Sequence, residues 1–504
     1  MIRRLLIANR GEIARRILRA CRELAIETVA VYSDADAASP HVSEADRAIR
    51  IGPPPARESY LNIDAILDAA KASKADAIHP GYGFLSERAP FVRAVETAGL
   101  TFVGPPAAAL EKIGSKTGTR ALMAGAGVPV VPGEAPTDQS DAALIEAASR
   151  VTFPVLIKPA AGGGGIGMKA VRVAAGLAEA LAAARREAKA AFGNDTLYVE
   201  RLIERPRHVE IQVFADSHGH TVHVFERECS AQRRHQKMIE ESPCAALSAS
   251  IREQMGAAAV AAAEAVGYRN AGTCEFLLEG EGDSARFYFL EMNTRLQVEH
   301  PVTEAVVGVD LVHAQLRVAS GEALPFSQES LSQRGHAIEC RVYAEDPAQG
   351  FLPQAGPILL YREPQGPGIR VDSGVRKGSE VSVHYDPMLA KLIVHASTRE
   401  EARRRAITAL GDYAILGIRT NIPFLLRILD HPQFVDASID TGFLDREGAA
   451  MAADIPREMP PAASIVLDAI RKNPELRPNQ TNGTAGTVGT PVTDPFEALK
   501  DWRA

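Results

Sequence analysis

The alternation of apolar and polar residues divides the chain into strands and helices before any chemistry is considered. Residues 3–8 read as a strand, Asn9-Arg10-Gly11 as a turn, and 12–24 as a helix with Ile13, Ile17, Leu18 and Cys21 on one face. A second strand follows at 28–32, and the βαβ pattern repeats through 77–79 and 101–103, which predicts an open parallel sheet. A helix is expected over 107–125, broken by Val128-Pro-Val-Val-Pro-Gly133. Beyond it come alanine-rich helices around 175–192 and 250–266, strands at 207–214 and 337–343, and a helix at 399–411.

The most informative pattern is 291–301, Glu-Met-Asn-Thr-Arg-Leu-Gln-Val-Glu-His-Pro, which alternates without a break. Read as a strand, it puts Glu291, Asn293, Arg295, Gln297 and Glu299 on one face and Met292, Thr294, Leu296 and Val298 on the other. The preceding Phe287-Tyr288-Phe289-Leu290 is apolar on both faces, so the segment starts inside a core and emerges with its charges together. Such charges need partners or a metal. Oxygen ligands from Glu and Asn suit Mg²⁺, which usually arrives with substrate phosphates. A solvated strand would alternate in the same way.

A chain of 504 residues exceeds a single core and implies several domains. Its net charge of −7, with both signs interspersed, suggests neither nucleic acid nor an anionic membrane as a partner. Five scattered cysteines without a Cys-x-x-Cys pair argue against a disulfide framework or thiolate zinc and fit a reducing cytoplasm. No apolar run reaches the roughly 18 residues of a membrane span, and the opening segment is too short in apolar residues for a signal peptide.

The stretch 153–168 delivers Lys158 from a strand into the loop Gly162-Gly-Gly-Gly165, where bare backbone N–H groups and a lysine suit phosphate oxygens. A flexible turn would look alike. Gly114-Ser-Lys-Thr-Gly118 is not a P-loop, and the first turn lacks Gly-x-Gly-x-x-Gly, which disfavours a nicotinamide cofactor. The loop 79–87 follows the third strand where parallel sheets place ligands, and it also reads as a glycine-rich turn. Arg207-His-Val-Glu-Ile-Gln-Val-Phe214 alternates with His208, Glu210 and Gln212 on one side. The run 226–241 is dense in both signs; alone it reads as a solvated face, but beside a phosphate-type loop and a metal-ligand strand it fits phosphoryl transfer.

These residues carry a resemblance. Ile7-Ala-Asn-Arg-Gly-Glu-Ile-Ala14, His79 to Glu87, the glycine loop, 207–213, Cys229-Ser-Ala-Gln-Arg-Arg-His-Gln-Lys237, Glu291 to Thr303 and Tyr385-Asp-Pro-Met-Leu-Ala-Lys391 resemble the biotin carboxylase family of ATP-grasp enzymes, in family order. The resemblance implies an α/β protein: a Rossmann-like (pre-ATP-grasp) domain over 1–115, an ATP-grasp domain over 116–330 with a mobile lid at about 134–203, and a biotin carboxylase C-terminal domain over 335–446. A flexible tail, a possible docking segment, would follow at 452–504.

The implied activity is ATP-dependent carboxylation of biotin on a carrier protein, using bicarbonate, through carboxyphosphate. Lys116, Lys158, Gly163, Gly164 and His208 would hold the nucleotide phosphates and ribose, Glu200 and Leu202 the adenine, with further contacts from Gln232 and His235. Glu275, Glu291 and Asn293 would hold one or two Mg²⁺ or Mn²⁺ ions. Lys237, Arg295, Gln297 and the backbone of Val298 would surround bicarbonate, with Glu299 as general base, and Arg341 would stabilise the biotin enolate near Tyr82. The family loop commonly has a fifth glycine and a basic residue where this chain has Ala161 and Ile166. Cys229 reads as a packing or supporting residue more readily than as a nucleophile.

With no Met-Lys-Met tripeptide and no second catalytic domain in the sequence, the biotin carboxyl carrier protein and the carboxyltransferase are expected as separate chains of an acyl-CoA or pyruvate carboxylase, and family analogy implies a homodimer. The segment Asp494 to Arg503 resembles the spacer of acyl-CoA carboxylase alpha chains and reads either as a contact to one of them or as a disordered end. Two rivals are a different ATP-grasp carboxylate-amine ligase, which would not need Arg341 or the Lys237 loop, and a non-catalytic nucleotide-sensing scaffold.

Overall fold

Short apolar runs at the amino end pair in parallel because each is followed by an amphipathic helix that returns the chain to the same edge. The computed structural model describes residues 2–161, 166–453 and 455, without the side chain of Lys116. Gly163, Gly164 and the expected docking segment Asp494 to Arg503 therefore lie outside the described residues. Five parallel strands stand in the order Arg47–Gly52, Glu27–Ser33, Arg4–Ile7, Ala77–His79, Thr101–Phe102. The helix Gly11–Glu23 packs Ile13 and Ile17 into one core with Phe214, Leu311 and Leu316, which seats this sheet against the centre of the molecule.

The centre is an antiparallel sheet of eight strands, in the order Arg286–Asn293, Asn270–Glu279, Arg207–Ala215, Thr221–Arg233, Gln236–Ser242, His336–Tyr343, Met388–Ala396, Ile369–Ser373. The strand His336–Tyr343 pairs directly with Gln236–Ser242, Ile239 opposite Cys340 and Ser242 opposite Ala337, so the ladder is continuous across residues 330–335. A separate four-stranded sheet, Gly133–Glu134, Leu197–Arg201, Val155–Pro159 and Lys169–Val171, is covered by helices Asp141–Val151 and Leu177–Phe192 over a core of Leu144, Ile157, Leu181 and Val199. Among the described residues no helix is long and apolar enough to cross a membrane.

Three expectations need correction. The helix expected over 107–125 is two helices, Ala107–Ile113 and Lys116–Gly125, because the Ser115 hydroxyl accepts from Gly118 N and starts a second helix. The alternating run 291–299 is strand only to Asn293. There Glu87, from the amino-terminal region, accepts from Thr294 N at 2.9 Å and ends the ladder, and Pro301 opens the helix His300–Val307. The charged run 226–241 is neither loop nor solvated face. It forms two central strands, Thr221–Arg233 and Gln236–Ser242, mostly buried because its charges find partners on both faces of the sheet.

Candidate active site

Directly opposed residues on antiparallel strands share a face, so the register alone assembles a row of charge. Glu210 opposes Glu275 on one side and Arg227 on the other, and Glu275 opposes Glu291. Gln232 opposes Lys237, whereas Ala231 opposes Ile239. The extra residue, Met238, makes a bulge that lets Lys237 and Glu240 both face this row.

The ammonium of Lys237 donates to Glu210 Oε2 at 2.6 Å, Glu275 Oε1 at 3.0 Å and Glu299 Oε1 at 2.6 Å. The second oxygen of Glu299 accepts from Arg341 at 2.9 Å, and Arg341 Nε donates to Glu240 at 2.6 Å. Behind them the wholly buried Arg227 donates to Glu210 at 2.5 Å, to Gln212 and Thr303 at 2.9 Å, and to Thr273 at 3.1 Å. Burial would raise the pKa of Glu299, but Lys237 and Arg341 outweigh it and hold the carboxyl well below its ordinary range. Glu240 goes the other way: burial lifts it to about 7 despite Arg341. Lys237 is burdened by burial, yet the surrounding carboxylates keep it charged well past its usual pKa.

Arg295 extends the row. Its Nε donates to Glu87 at 3.1 Å and one terminal nitrogen to Gln297 Oε1 at 2.8 Å. Gln297 is buried, and its Nε2, like Asn293 Nδ2, has no hydrogen-bond partner among the described residues. Two unspent donors beside a guanidinium suit a small anion. The loop 79–87 supplies Glu87 to this group, not His79, which burial holds neutral with a pKa of about 4 while its Nδ1 accepts from Gly81 N. Tyr82 donates to Glu12, and the carbonyl of Val298 accepts from Lys391 at 2.7 Å.

On the nucleotide side, Lys158 donates to Glu200 Oε2 at 2.8 Å, and Arg120 donates to the other Glu200 oxygen at 2.8 Å. The Glu200 carboxylate is thus held by two cations. Leu202 gives its N–H to Pro154. His208 Nε2 lies 3.0 Å from Glu275, and Gln232 Nε2 lies 3.3 Å from His208 Nδ1, so both join the carboxylate row. His235 is exposed at the hairpin tip, in the left-handed region at φ 66°.

Two donor sets could accept a cation. Glu275 and Glu291 oppose each other directly, an arrangement of like charges that a divalent ion would relieve, with Asn293 two residues along the strand from Glu291. His208, Glu210 and Glu275 also offer ligand atoms within 4.8 Å of one another. Cys229 shares such a cluster with Glu210 and Glu299, but burial and these carboxylates push its thiol far above the usual range, so it is no nucleophile at neutral pH.

Sequence reasoning left Glu12, Arg120, Glu210, Arg227, Glu240, Lys391 and Asn421 without roles at the site. Glu12, Glu210 and Lys391 stand inside the motifs that carried the resemblance, and Arg227 and Glu240 inside the charged run. Arg120 and Asn421 left no signal. Asn421 clamps the strand bearing Arg341, donating to Arg341 O at 2.9 Å and accepting from Tyr343 N at 2.8 Å.

Three family models match the chain: the biotin carboxylase N-terminal domain over residues 1–110, the carbamoyl-phosphate synthase L chain ATP-binding domain over 115–327, and the biotin carboxylase C-terminal domain over 339–446. The chain is 52% identical over 444 residues to the alpha subunit of mitochondrial methylcrotonoyl-CoA carboxylase from Glycine max, covering 88% of this chain and 60% of that protein. It is 51% identical over 445 residues to biotin carboxylase 1 of Bacillus subtilis, covering 88% and 98%. The chain thus spans about three-fifths of the length of the curated relatives it matches first. A Campylobacter jejuni biotin carboxylase crystal structure superposes with a TM-score of 0.85 at 44% identity, covering 88% of this chain and 99% of that one. The biotin carboxylase domain of Hydrogenobacter thermophilus 2-oxoglutarate carboxylase, solved with MgADP and bicarbonate, gives 0.83 at 43%, covering 90% and 99%. With its three domains matched in order and its carboxylate row built on the ATP-grasp sheet, the chain belongs to the biotin carboxylase family.

Proposed function

We propose that this chain carboxylates biotin with bicarbonate at the expense of ATP, using the row centred on Lys237. The observation that carries this reading is one ammonium bridging Glu210, Glu275 and Glu299 while Arg341 holds the far oxygen of Glu299. Bicarbonate docks on the Arg295 fork, Gln297 Nε2 and the Val298 backbone, beside Glu299, which takes its proton. A carboxylate clamped by two cations is a weak base. As Lys237 and Arg341 turn to the substrates, Glu299 loses its counter-ions and its proton affinity rises.

The deprotonated bicarbonate attacks the γ-phosphorus of ATP to give carboxyphosphate and ADP. Carboxyphosphate breaks to CO₂ and phosphate, the phosphate takes the ureido proton, and the biotin nitrogen attacks CO₂ while Arg341, with Tyr82 nearby, stabilises the enolate. Lys116, Lys158, Gly163, Gly164 and His208 hold the phosphates and ribose, with Gln232 and His235 beside them. Leu202 and the main chain of Glu200 line the adenine. Glu275, Glu291 and Asn293 hold Mg²⁺ or Mn²⁺, which when bound neutralises phosphate charge.

Biotin arrives on a carrier chain, and a carboxyltransferase on another chain consumes the product; similarity to named carboxylase alpha subunits supports an acyl-CoA carboxylase assembly. A homodimer in a reducing cytoplasm completes the reading, the latter supported by five buried free cysteines. ATP cleavage stimulated by free biotin and bicarbonate, and not by amino acids, is the expected result of a steady-state assay. Arg295→Lys should abolish the biotin-dependent cleavage while ATP still binds, because a point charge cannot replace the fork; full activity would overturn the assigned role.

A further inference from the structure

We propose that Lys391 is a positioning residue that sets the peptide joining Val298 to Glu299, with Glu12 as its anchor. This rests on the role given above to Glu299. Lys391 is fully buried on the strand Met388–Ala396, directly opposite Arg341 on one neighbouring strand and Asp372 on the other. A buried ammonium persists only where partners compensate its lost hydration. Here they are the Val298 carbonyl at 2.7 Å and Glu12 Oε2 at 3.3 Å. Glu12, itself buried on the amino-terminal helix, accepts a hydrogen bond from the Tyr82 hydroxyl on its other oxygen.

The peptide bond is planar, so a fixed Val298 carbonyl also fixes the plane from which the Glu299 side chain departs. Lys391 thus acts on the base without touching the reacting atoms. The anchor comes from a third part of the chain. A Cβ placed on Gly374 would fall 2.8 Å from Glu12 N, so the carboxy-terminal region meets the amino-terminal helix with no room for slippage there. Through Glu12 the same strut reaches Tyr82, on the biotin side, so the position of the base and the wall of the biotin site are set by one buried chain of contacts.

Lys391→Met keeps the chain length and removes the donor. Misplacing a catalytic group by about an ångström costs on the order of a hundredfold, so kcat for biotin-dependent ATP cleavage should fall by about that factor, with KM for ATP unchanged within about twofold. Amide hydrogen exchange at Glu299 and His300, measured without substrates, should quicken by about tenfold or more while the strand Arg207–Ala215 keeps its protection. A kcat within about threefold of wild type, or unaltered exchange in a folded variant, overturns the proposal. Should Lys391→Met not fold, Glu12→Gln decides: it keeps an oxygen for only one of the two donors and loses the charge, and should lower kcat about tenfold with the same unchanged ATP KM. No effect of Glu12→Gln on kcat would then overturn it. Wild-type protein without biotin-dependent cleavage would sink the function proposed above, whereas the exchange measurement judges the strut independently.

Discussion

The two faces of the strand Thr221–Arg233 carry comparable buried charge to opposite ends. On one face Arg227 backs Glu210 and the Lys237 row. On the other, Glu228 binds Arg207 and the Cys244 thiol, Glu226 binds Arg252, and the neighbouring Glu241 binds both His336 and Arg399. The difference lies in what is left unspent. On the first face Asn293 Nδ2, Gln297 Nε2, Glu240 Oε2 and both oxygens of Glu339 lack partners among the described residues, against Glu226 Oε2, His223 Nδ1 and Arg233 Nε on the second. Unspent capacity inside a protein is costly, so its concentration on one face marks where ligands complete the network. The other face is a latch between the central and carboxy-terminal regions.

Substitutions on the first face should therefore cost activity per folded molecule, and those on the second stability alone. Glu299→Gln is expected to lower biotin-dependent ATP cleavage per folded molecule by about 10²–10⁴-fold, checked by steady-state kinetics, and to lower Tm as well by leaving Lys237 and Arg341 short of a counter-ion, checked by calorimetry. Near-wild-type activity per folded molecule would erase the distinction between the faces. Glu241→Gln should cost about 3–5 kcal/mol in denaturant unfolding by leaving Arg399 short of its counter-ion, with activity per folded molecule nearly unchanged.

The latch also predicts a pH dependence. Burial would raise the Glu241 pKa, but Arg399 and His336 outweigh it and hold the group at about 2, against 4.5 unperturbed. A depressed carboxyl contributes stability that is present above 4.5 and lost as pH falls toward 2. Glu241→Gln should flatten the acid limb of a stability titration in that window, and an unchanged limb would show that the latch carries none of it.

Smaller effects should come from groups that lie in neither network or are inert within one. Arg120→Met removes one of the two cations on Glu200 and should raise the ATP KM by about tenfold with a smaller change in kcat, since a charge-assisted hydrogen bond is worth about 1.5–3 kcal/mol. Cys229→Ala should leave kcat within about threefold and abolish no thiolate chemistry, because the thiol stays protonated. Steady-state assays at neutral pH check both.

Four of the five parallel strands were legible as short apolar runs joined by helical periods, and the strand 77–79 falls where the pattern puts it; the edge strand Arg47–Gly52 was not, because its arginines and exposed start break the apolar run. The row of site residues was legible for a different reason, since alternation marks a shared face even where pairing stops at Asn293. What alternation cannot reveal is a partner distant in sequence. Glu87 ends that strand from 207 residues away, and the bulge at Met238 turns Glu240 toward the site against simple alternation. The burial of 226–241 was hidden because dense charge reads as solvated until the opposing strands supply its counter-ions. Arg120 claims Glu200 from a helix with no motif of its own.

The uninterrupted ladder between Gln236–Ser242 and His336–Tyr343 has a practical meaning for anyone who would dissect the protein. A fragment ending near residue 330 would strip the Gln236–Ser242 strand of its neighbour over residues 239–242 and bare that edge. Raw β-edges recruit further chains, so such a half would be prone to self-associate or to recapture its missing complement. Residues distant in linear order are in this sense one indivisible slab, and Arg341 could not be separated from Glu299 without tearing it.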